Sequence, residues 1–240
     1  MNGPHLSIII PAYNEASRLL PTLQAIEAFR ASRAFTSEVI IVDDCSTDDT
    51  AAIAGGFAAA HAGYRVIQTD GEHGKGQAVK TGMLAAAGAY RVFTDADNST
   101  PIAEVDRFFP YFDGAVDGVK YDIVIGSRRA AGAQLDRRQP AHREAAGRLY
   151  SILVRLLVLP GFLDTQCGFK MFTEAAALAI FPRLTVTGFG FDIEALSLAR
   201  SLRLNVKEAP VRWVDSPTSH VRLFRDSLGM FVELFSARRG

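Results

Sequence analysis

Short apolar runs alternate with helix-like segments through the first half of the chain, and this alternation limits the fold more than any other feature. The runs are rich in β-branched residues and stop at polar clusters, which is typical of buried parallel strands. Five strands are predicted: residues 6–10, 38–42, 65–68, 90–94 and 121–125. Four helices are predicted. The first covers about 15–31, and the second follows the helix-start residues Ser46, Thr47 and Asp49. The third runs from the end of the glycine-containing loop 70–76 to about residue 87, and the fourth covers 101–112. This order predicts an α/β fold with a mostly parallel sheet and helices on both faces.

Polar residues stand where the predicted strands end. Asn14 and Glu15 follow the first strand, Asp43 and Asp44 the second, Asp95 and Asp97 the fourth, and Arg128 the fifth. Open α/β sheets bind their ligands outside the carboxyl ends of their strands. These residues are therefore predicted to form one binding site.

The alternation weakens after Arg129, and we expect a divergent second half. A basic loop is followed by these predicted elements: helix 143–159, strand 168–172, helices 174–181 and 191–202, a short β pair of 206–208 with 211–213, and helix 221–237. No internal repeat or linker occurs, so one domain is predicted over 1–240. Its nucleotide- and metal-binding half is expected at 1–127, and its acceptor-binding half at 128–240.

The charges are balanced in number but unevenly distributed. The chain has 26 basic and 26 acidic side chains, with 9 basic and 15 acidic in residues 1–120, and 17 and 11 in residues 121–240. Acidic groups in the first half suit a bound cation, and basic groups in the second half suit an anion or an anionic surface. The uneven distribution predicts two binding roles on one chain.

Composition excludes several classes of protein. A hydrophobic content of 48% with 22% charged residues excludes a disordered or collagen-like chain. No apolar run reaches about 18 residues, so no membrane-spanning helix is expected, and the first residues do not have the pattern of a signal peptide. Cys45 and Cys167 are expected to be free thiols.

An Asp-x-Asp pattern, Asp95-Ala96-Asp97, follows the fourth strand. It presents two carboxylates at an exposed strand end, and Mg²⁺ and Mn²⁺ prefer oxygen ligands, often shared with substrate phosphates. A solvated turn or a helix cap is the alternative interpretation. The Gly74-Lys75-Gly76 loop suits a phosphate or a sugar. Its spacing is not that of a P-loop, and no GxGxxG follows the first strand, which argues against an ATPase and a dinucleotide dehydrogenase.

Seven motifs occur in order along the chain: IIIPAYNE, VDDCSTDDT, GKGQAVKTGM, FTDADNSTP, IGSRR, DTQCGFKMF and GFGFDIE. Together, over roughly residues 5–225, they resemble family 2 glycosyltransferases of the GT-A fold. More narrowly, they resemble the polyprenyl- and dolichyl-phosphate glycosyltransferases. The last two motifs are most similar to the dolichyl-phosphate beta-glucosyltransferase branch, which uses UDP-glucose.

The resemblance implies a role for each matching residue. Asp95 and Asp97 are expected to bind Mg²⁺ or Mn²⁺, and Arg128 to hold the acceptor's phosphate. Gln166, Lys170, Asp192 and Glu194 lie in motifs that shape the sugar and acceptor side. The nucleotide pocket is expected to contain Pro11, Tyr13, Glu15, Asp43, Asp44 and Lys75. The family often has Ser-Lys near the end, where this chain has Ser219-His220, and a neutral imidazole does not replace an ammonium at neutral pH.

The implied reaction is an inverting, metal-dependent transfer of a hexose, with glucose from UDP-glucose favoured, to a polyprenyl phosphate. A phosphate nucleophile is already an anion and needs a cationic cradle rather than a strong base. Arginine suits that cradle because its planar fork matches phosphate oxygens. The candidates are Arg128, Arg129, Arg138 and Arg143, and a solvated basic loop is the alternative. A sugar hydroxyl acceptor would need a base instead, for which Asp192 is the best candidate.

Other functions and partners stay open at this point. GDP-mannose is an alternative donor, and a nucleotidyltransferase or a non-catalytic nucleotide-sugar binding module are alternatives of another class. A lipid acceptor implies a cytoplasmic protein, peripheral to the cytoplasmic face of a membrane, with residues 149–163 and 221–239 as candidate interfacial segments. Either segment fits a core helix or a homodimer contact equally well. No nucleic-acid partner is expected.

Overall fold

A computed structural model describes residues 3–137, 152, 154–155 and 158–215. Its nine described strands are β1 Leu6–Ala12, β2 Ser37–Asp43, β3 Tyr64–Gln68, β4 Tyr90–Thr94, β5 Ile123–Ser127, β6 Gln134–Arg137, β7 Phe169–Thr173, β8 Val206–Pro210 and β9 Arg212–Val214. Seven of them form one sheet in the order β3-β2-β1-β4-β7-β5-β8, and β6 pairs with β9 in a second, two-stranded sheet. The expected mostly parallel α/β architecture is confirmed.

Six α-helices of the described part cover both faces of the large sheet. They are α1 Leu19–Ala31, α2 Thr50–Ala60, α3 Lys75–Ala85, α4 Val105–Phe112, α5 Glu174–Ile180 and α6 Phe191–Ser201. Side chains alternate along a strand, so Ile8 and Ile10 of β1 join one core with α1, α2 and α4, whereas Ile9 joins a second core with α3, α5 and α6. Both cores are needed because the strands are apolar on both faces.

Strand β7 runs antiparallel to its neighbours β4 and β5. Thr94 pairs with Phe169 and Phe93 with Lys170, so the chain just before β7 lies beside the carboxyl end of β4. Every other neighbouring pair in the large sheet is parallel. The reversal brings residues 164–170, named here the 164–170 segment, to the edge where the parallel strands end.

Several sequence predictions need correction. Residues 206–208 and 211–213 do not pair with each other, because β8 joins β5 in the large sheet and β9 joins β6. The expected basic loop contains the strand β6. Helix α1 begins at Leu19 rather than near residue 15, and β5 begins at Ile123 rather than at residue 121. Each error falls where a partner outside the local segment decides the structure.

Some predictions lie outside the described residues, namely helix 221–237, most of helix 143–159, and Arg138, Arg143, Ser219 and His220. Among the described helices, none combines the length and the apolar character that a membrane span requires. Cys45 and Cys167 are free thiols, as expected.

Candidate active site

The carboxyl ends of β1, β2, β4 and β5 meet at one edge of the sheet, because these strands run in the same direction there. Pro11 and Tyr13 lie at the end of β1, where Pro11 is half-buried and the Tyr13 side chain is 55% exposed. An exposed aromatic ring at this edge offers a surface on which a nucleotide base can stack. The structure thus brings the first predicted site residues to the expected edge.

The turn after β1 is fixed by the turn after β2. Asn14 has a left-handed φ of 54°, and its side-chain oxygen accepts a hydrogen bond from the Thr47 amide at 2.8 Å. The amide of Glu15 donates to Thr50 Oγ1 at 2.7 Å. Asp49, one of the expected helix-start residues, is the N-cap residue of α2, but its side chain makes no cap hydrogen bond. The Asp48 carboxylate accepts instead from the Thr50 amide at 3.0 Å.

Asp43 and Asp44 are both nearly buried, and each carboxylate holds a loop. Asp43 accepts from the Ser46 amide at 3.3 Å. Asp44 accepts from Thr69 Oγ1 and from the Gly74 amide, both at 2.8 Å. Asp44 therefore joins the end of β2 to the Gly-Lys-Gly loop, and its expected contact with the nucleotide stays a prediction.

Of the expected Gly-Lys-Gly loop only Gly74 precedes helix α3, which begins at Lys75, and close packing requires both glycines. Gly74 has a φ of 128°, and a Cβ there would lie 2.4 Å from the Thr187 carbonyl oxygen. A Cβ on Gly76 would lie 2.6 Å from the Val186 carbonyl oxygen. The loop at residues 185–187 is held in turn by Glu194, whose carboxylate accepts from the amide of Val186 at 2.8 Å. This close backbone packing places Lys75 at the sheet edge.

Lys75 and Arg18 flank the Asp-x-Asp pair. Lys75 Nζ lies 2.6 Å from Asp95 Oδ1, and Arg18 Nη1 lies 3.5 Å from Asp97 Oδ2. Asp97 also accepts from the Ser99 amide at 2.9 Å. Burial, followed by the negative charge of Asp95, raises the pKa of Asp97. Burial opposes the charge of Lys75, but the carboxylates of Asp95 and Asp192 outweigh it and raise the pKa of that ammonium.

These carboxylates fit a hard divalent cation. Asp95 is 38% exposed and Asp97 15%, so both reach the edge without being fully hydrated. The described residues contain no group of three or more His, Cys, Asp or Glu side chains placed to hold a metal. A cation held by one or two carboxylates, with substrate phosphates and water as further ligands, is the usual protein chemistry of Mg²⁺. The two-carboxylate site suits a metal that arrives with a diphosphate.

Arg128 is clamped by Asp164 of the 164–170 segment. Its Nε donates to Asp164 Oδ2 at 2.7 Å, its Nη2 to Oδ1 at 2.8 Å, and its backbone amide to Oδ2 at 3.0 Å. The Asp164 carboxylate is fully buried, whereas the Arg128 side chain is 26% exposed. The guanidinium also lies 5.5 Å from the centre of the Trp213 ring. Because the bonds to Asp164 use Nε and Nη2, the third guanidinium nitrogen, Nη1, can donate to a second anion.

Asp164 gives the fold a defined dependence on acid. Its burial favours the neutral acid, but the Arg128 charge and hydrogen bonds outweigh this and lower the pKa of Asp164 to about 2. A lowered pKa contributes stability above pH 4 that is lost as the pH falls toward 2. We expect the difference in free energy of unfolding between wild type and Asp164→Asn to shrink by roughly 2 kcal/mol between pH 5 and pH 2.5. Urea denaturation at both pH values measures it, and a pH-independent difference would contradict the assignment.

Lys170 and Asp192 form a second buried ion pair. Lys170 is 1% exposed and Asp192 5%, and the ammonium also donates to the Thr165 carbonyl oxygen at 2.8 Å. Burial raises the pKa of Asp192, against the lowering effect of Lys170 and then Lys75. A carboxylate that already accepts from an ammonium is better suited to organise a site than to take a proton.

Sequence reasoning missed two residues of this edge. Arg18 forms an ion pair with Glu15 and reaches Asp97, and Asp164 holds Arg128. The spacing of three residues between Glu15 and Arg18 was the only signal for the first pair. Asp164 lay in a recognised motif, but 36 residues separate it from its partner and no local pattern indicates the contact.

The structure says less about the other arginines that were expected to hold the acceptor's phosphate. Arg129 lies next to Arg128, and its Nη1 approaches the Leu163 carbonyl oxygen at 3.5 Å. Arg138 and Arg143 lie outside the described residues. An arginine cradle larger than Arg128 and Arg129 therefore stays a prediction.

Comparison with known sequences gives consistent results. The sequence model of glycosyl transferase family 2 matches residues 7–181 of this chain. The chain is 36% identical over 238 residues to dolichyl-phosphate beta-glucosyltransferase of Drosophila melanogaster, covering 96% of this chain and 73% of that protein. It is 35% identical over 225 residues to a dolichyl-phosphate beta-glucosyltransferase of Trichomonas vaginalis, covering 91% and 66%. The chain thus spans about two thirds to three quarters of the length of these relatives.

Comparison with solved structures concerns the fold. Glucosyl-3-phosphoglycerate synthase from Mycobacterium tuberculosis, crystallised with Mn²⁺, UDP-glucose and phosphoglyceric acid, superposes with a TM-score of 0.71 at 20% identity, covering 98% of this chain and 80% of that one. The same enzyme crystallised with Mg²⁺ and UDP gives 0.68 at 21% identity, covering 98% and 79%. The GT-A fold expected from the sequence motifs is confirmed.

Proposed function

The chain belongs to glycosyl transferase family 2, and we propose that it transfers glucose from UDP-glucose to a polyprenyl or dolichyl phosphate, with inversion at the anomeric carbon. It is a glycosyltransferase of the GT-A fold. One observation carries the proposal: the carboxylates of Asp95 and Asp97 lie at the same edge of the sheet as the guanidinium of Arg128, which Asp164 holds in place. Named relatives with dolichyl-phosphate beta-glucosyltransferase activity support the choice of glucose and of a lipid phosphate.

The donor half of the site uses the ends of β1, β2 and β4. Tyr13 offers a stacking surface to the uracil, and Asp43 and Asp44 hold the loops around the base and ribose. Lys75, already beside Asp95, is placed to donate to a diphosphate oxygen. Asp95 and Asp97 would hold Mg²⁺ or Mn²⁺, which when bound stabilises the charge that develops on the leaving diphosphate.

The acceptor half uses the end of β5 and the 164–170 segment. Arg128 would donate from Nη1 to a phosphate oxygen while Asp164 fixes the plane of its guanidinium. In the reaction, that acceptor phosphate forms a bond from oxygen to the anomeric carbon. The bond from this carbon to the diphosphate oxygen breaks, and its electron pair leaves with UDP. No proton must be removed from the nucleophile, which agrees with an Asp192 carboxylate that is occupied by Lys170.

The domain division, the location and the partners belong to the same proposal. Residues 1–127 and 128–240 act as donor and acceptor halves of one domain, because the donor groups lie on β1 to β4 and Arg128 begins the second half. A lipid phosphate is reached at a membrane surface, so we place the protein peripherally at the cytoplasmic face. A homodimer stays a prediction.

A transfer assay tests the reaction directly. Purified protein is given radiolabelled UDP-glucose or GDP-mannose, with polyprenyl phosphate in detergent, 3-phosphoglycerate or buffer as acceptor, and with Mn²⁺, Mg²⁺ or EDTA. We expect label in the lipid phase only with UDP-glucose, polyprenyl phosphate and a divalent metal. Label in the lipid phase from GDP-mannose would overturn the donor, and label only on phosphoglycerate would overturn the acceptor.

Arg128→Lys tests the acceptor contact while keeping a cation beside Asp164. Lysine lacks the planar fork, so we expect kcat/KM for polyprenyl phosphate to fall roughly 10- to 100-fold, equivalent to one charge-assisted hydrogen bond. UDP-glucose binding, followed by calorimetry, should change less than about 2-fold. Arg212→Lys, an exposed arginine paired with Asp136, serves as the matched control. Equal losses for donor and acceptor would count against this role of Arg128.

A further inference from the structure

Gly168 has no side chain at the place where the chain passes the Asp95 carboxylate. A Cβ on Gly168 would lie 1.9 Å from Asp95 Oδ2, 2.4 Å from Cγ and 2.6 Å from Oδ1. All three contacts are closer than atoms approach without displacement. The backbone does not require glycine here, because Gly168 is absent from the residues with positive φ. The need for glycine therefore comes from the neighbouring carboxylate.

The sheet register explains why these two residues meet. Thr94, the last residue of β4, pairs with Phe169, the first residue of the antiparallel β7. The residue after Thr94 and the residue before Phe169 are Asp95 and Gly168, which continue the same pairing beyond the strand ends. The carboxylate of Asp95 consequently lies against Gly168, and Lys75 Nζ lies 2.6 Å from its Oδ1.

We infer that Gly168 is a positioning residue, which sets where the Asp95 carboxylate stands and so how well the site holds a divalent cation. The inference rests on the metal-binding role of Asp95 and Asp97 in the proposed function. The atoms met by a Cβ are the far end of one short side chain that is 38% exposed. Asp95 can swing away at small cost to the fold, but its carboxylate then leaves the place that it shares with Asp97.

The test compares two glycine substitutions with opposite expected effects. In Gly168→Ala, we expect the Kd for Mn²⁺, read from the free-ion signal in electron paramagnetic resonance at a fixed concentration of UDP, to rise roughly 10- to 100-fold. The melting temperature should change by less than about 3 °C, the equivalent of a minor rearrangement. In Gly88→Ala, a Cβ would meet backbone, the Ser7 nitrogen at 2.6 Å, at the opposite end of β4. There we expect a loss of at least about 4 °C and an unchanged Kd.

The outcomes separate this inference from the proposed function. If Asp97→Asn raises the Kd for Mn²⁺ and Gly168→Ala does not, the positioning role of Gly168 is overturned and the metal site stands. If neither substitution changes the Kd, the metal site fails and the inference fails with it. If Gly168→Ala lowers the melting temperature but leaves the Kd for Mn²⁺ unchanged, Gly168 serves only the packing of the fold, and the inference is overturned.

A double substitution covers the case in which Gly168→Ala fails to fold. Asp95→Ala removes the carboxylate that the new methyl group would meet. We therefore expect Asp95→Ala combined with Gly168→Ala to melt within about 3 °C of Asp95→Ala alone. If the double variant is as unstable as Gly168→Ala, the clash is with something other than Asp95, and the inference is overturned.

Discussion

Asp97→Asn is expected to lower the rate of glucose transfer by roughly 10³-fold and to leave the fold unchanged. Asparagine keeps the volume and can still accept from the Ser99 amide, so the turn after β4 is preserved. It removes one of the two carboxylates that fit a divalent cation, and with it the charge that makes a hard cation bind. The rate is measured as radiolabel transferred from UDP-glucose to polyprenyl phosphate over a titration of Mn²⁺.

Asp106→Asn is the matched control for Asp97→Asn. Asp106 is a surface carboxylate on α4 that pairs with Arg33 at 2.5 Å, and exposed pairs contribute little. We expect its transfer rate to stay within about 2-fold of wild type. Circular dichroism spectra and melting temperatures are measured to check that both variants are folded. A normal rate for Asp97→Asn at low Mn²⁺ would remove Asp97 from the metal site.

Lys170→Met is expected to have the largest effect on stability. It leaves the Asp192 carboxylate buried without its ammonium partner, a change that costs about 3–5 kcal/mol in other buried pairs. The melting temperature should therefore fall by about 10 °C. Lys170→Met combined with Asp192→Asn removes both charges, and we expect it to recover a large part of that loss. A double variant no more stable than Lys170→Met would show that the Asp192 charge is not the source of the cost.

The same pair separates two roles of Asp192. If Asp192 organises the sugar side, Asp192→Asn should slow transfer about 10-fold, because the amide still accepts from Lys170. If Asp192 removes a proton from the nucleophile, the loss should be 10²- to 10⁴-fold and should depend on pH. Transfer to polyprenyl phosphate, measured from pH 6 to pH 9, distinguishes these results. We expect the smaller loss, since a phosphate nucleophile brings no proton to be removed.

Local sequence patterns predict the donor half of the fold well. Strands β1, β2 and β4 are mostly apolar and largely buried, whereas the edge strand β3 is only partly buried. The polar residues that follow the strands mark the site edge without any knowledge of partners. Asp95 and Asp97 come to the expected edge because β4 is parallel to β1 and strand direction alone places them. The same argument places Asp43 and Asp44.

Long-range contacts limit what a sequence predicts for the acceptor half. Nothing local indicates that β7 enters the sheet antiparallel between β4 and β5, or that β8 pairs with β5 rather than with β9. The clamp of Arg128 by Asp164 and the contact of Gly168 with Asp95 both follow from that insertion. The motif containing Asp164, Gly168 and Lys170 was recognisable, but its physical meaning depends on the register of β7.

The position of β7 also sets the order in which the sheet can be completed during synthesis. Strands β1 to β4 pair with one another, and only the second edge of β4 waits for β7, so a four-stranded unit can form as soon as residue 94 has left the ribosome. Strand β5 then has no neighbour until residues 128–168 and β7 have been made, and β4 keeps an open edge for that whole interval. The nascent chain therefore passes through a stage in which the donor half is assembled and its open β4 edge is available to pair with another chain.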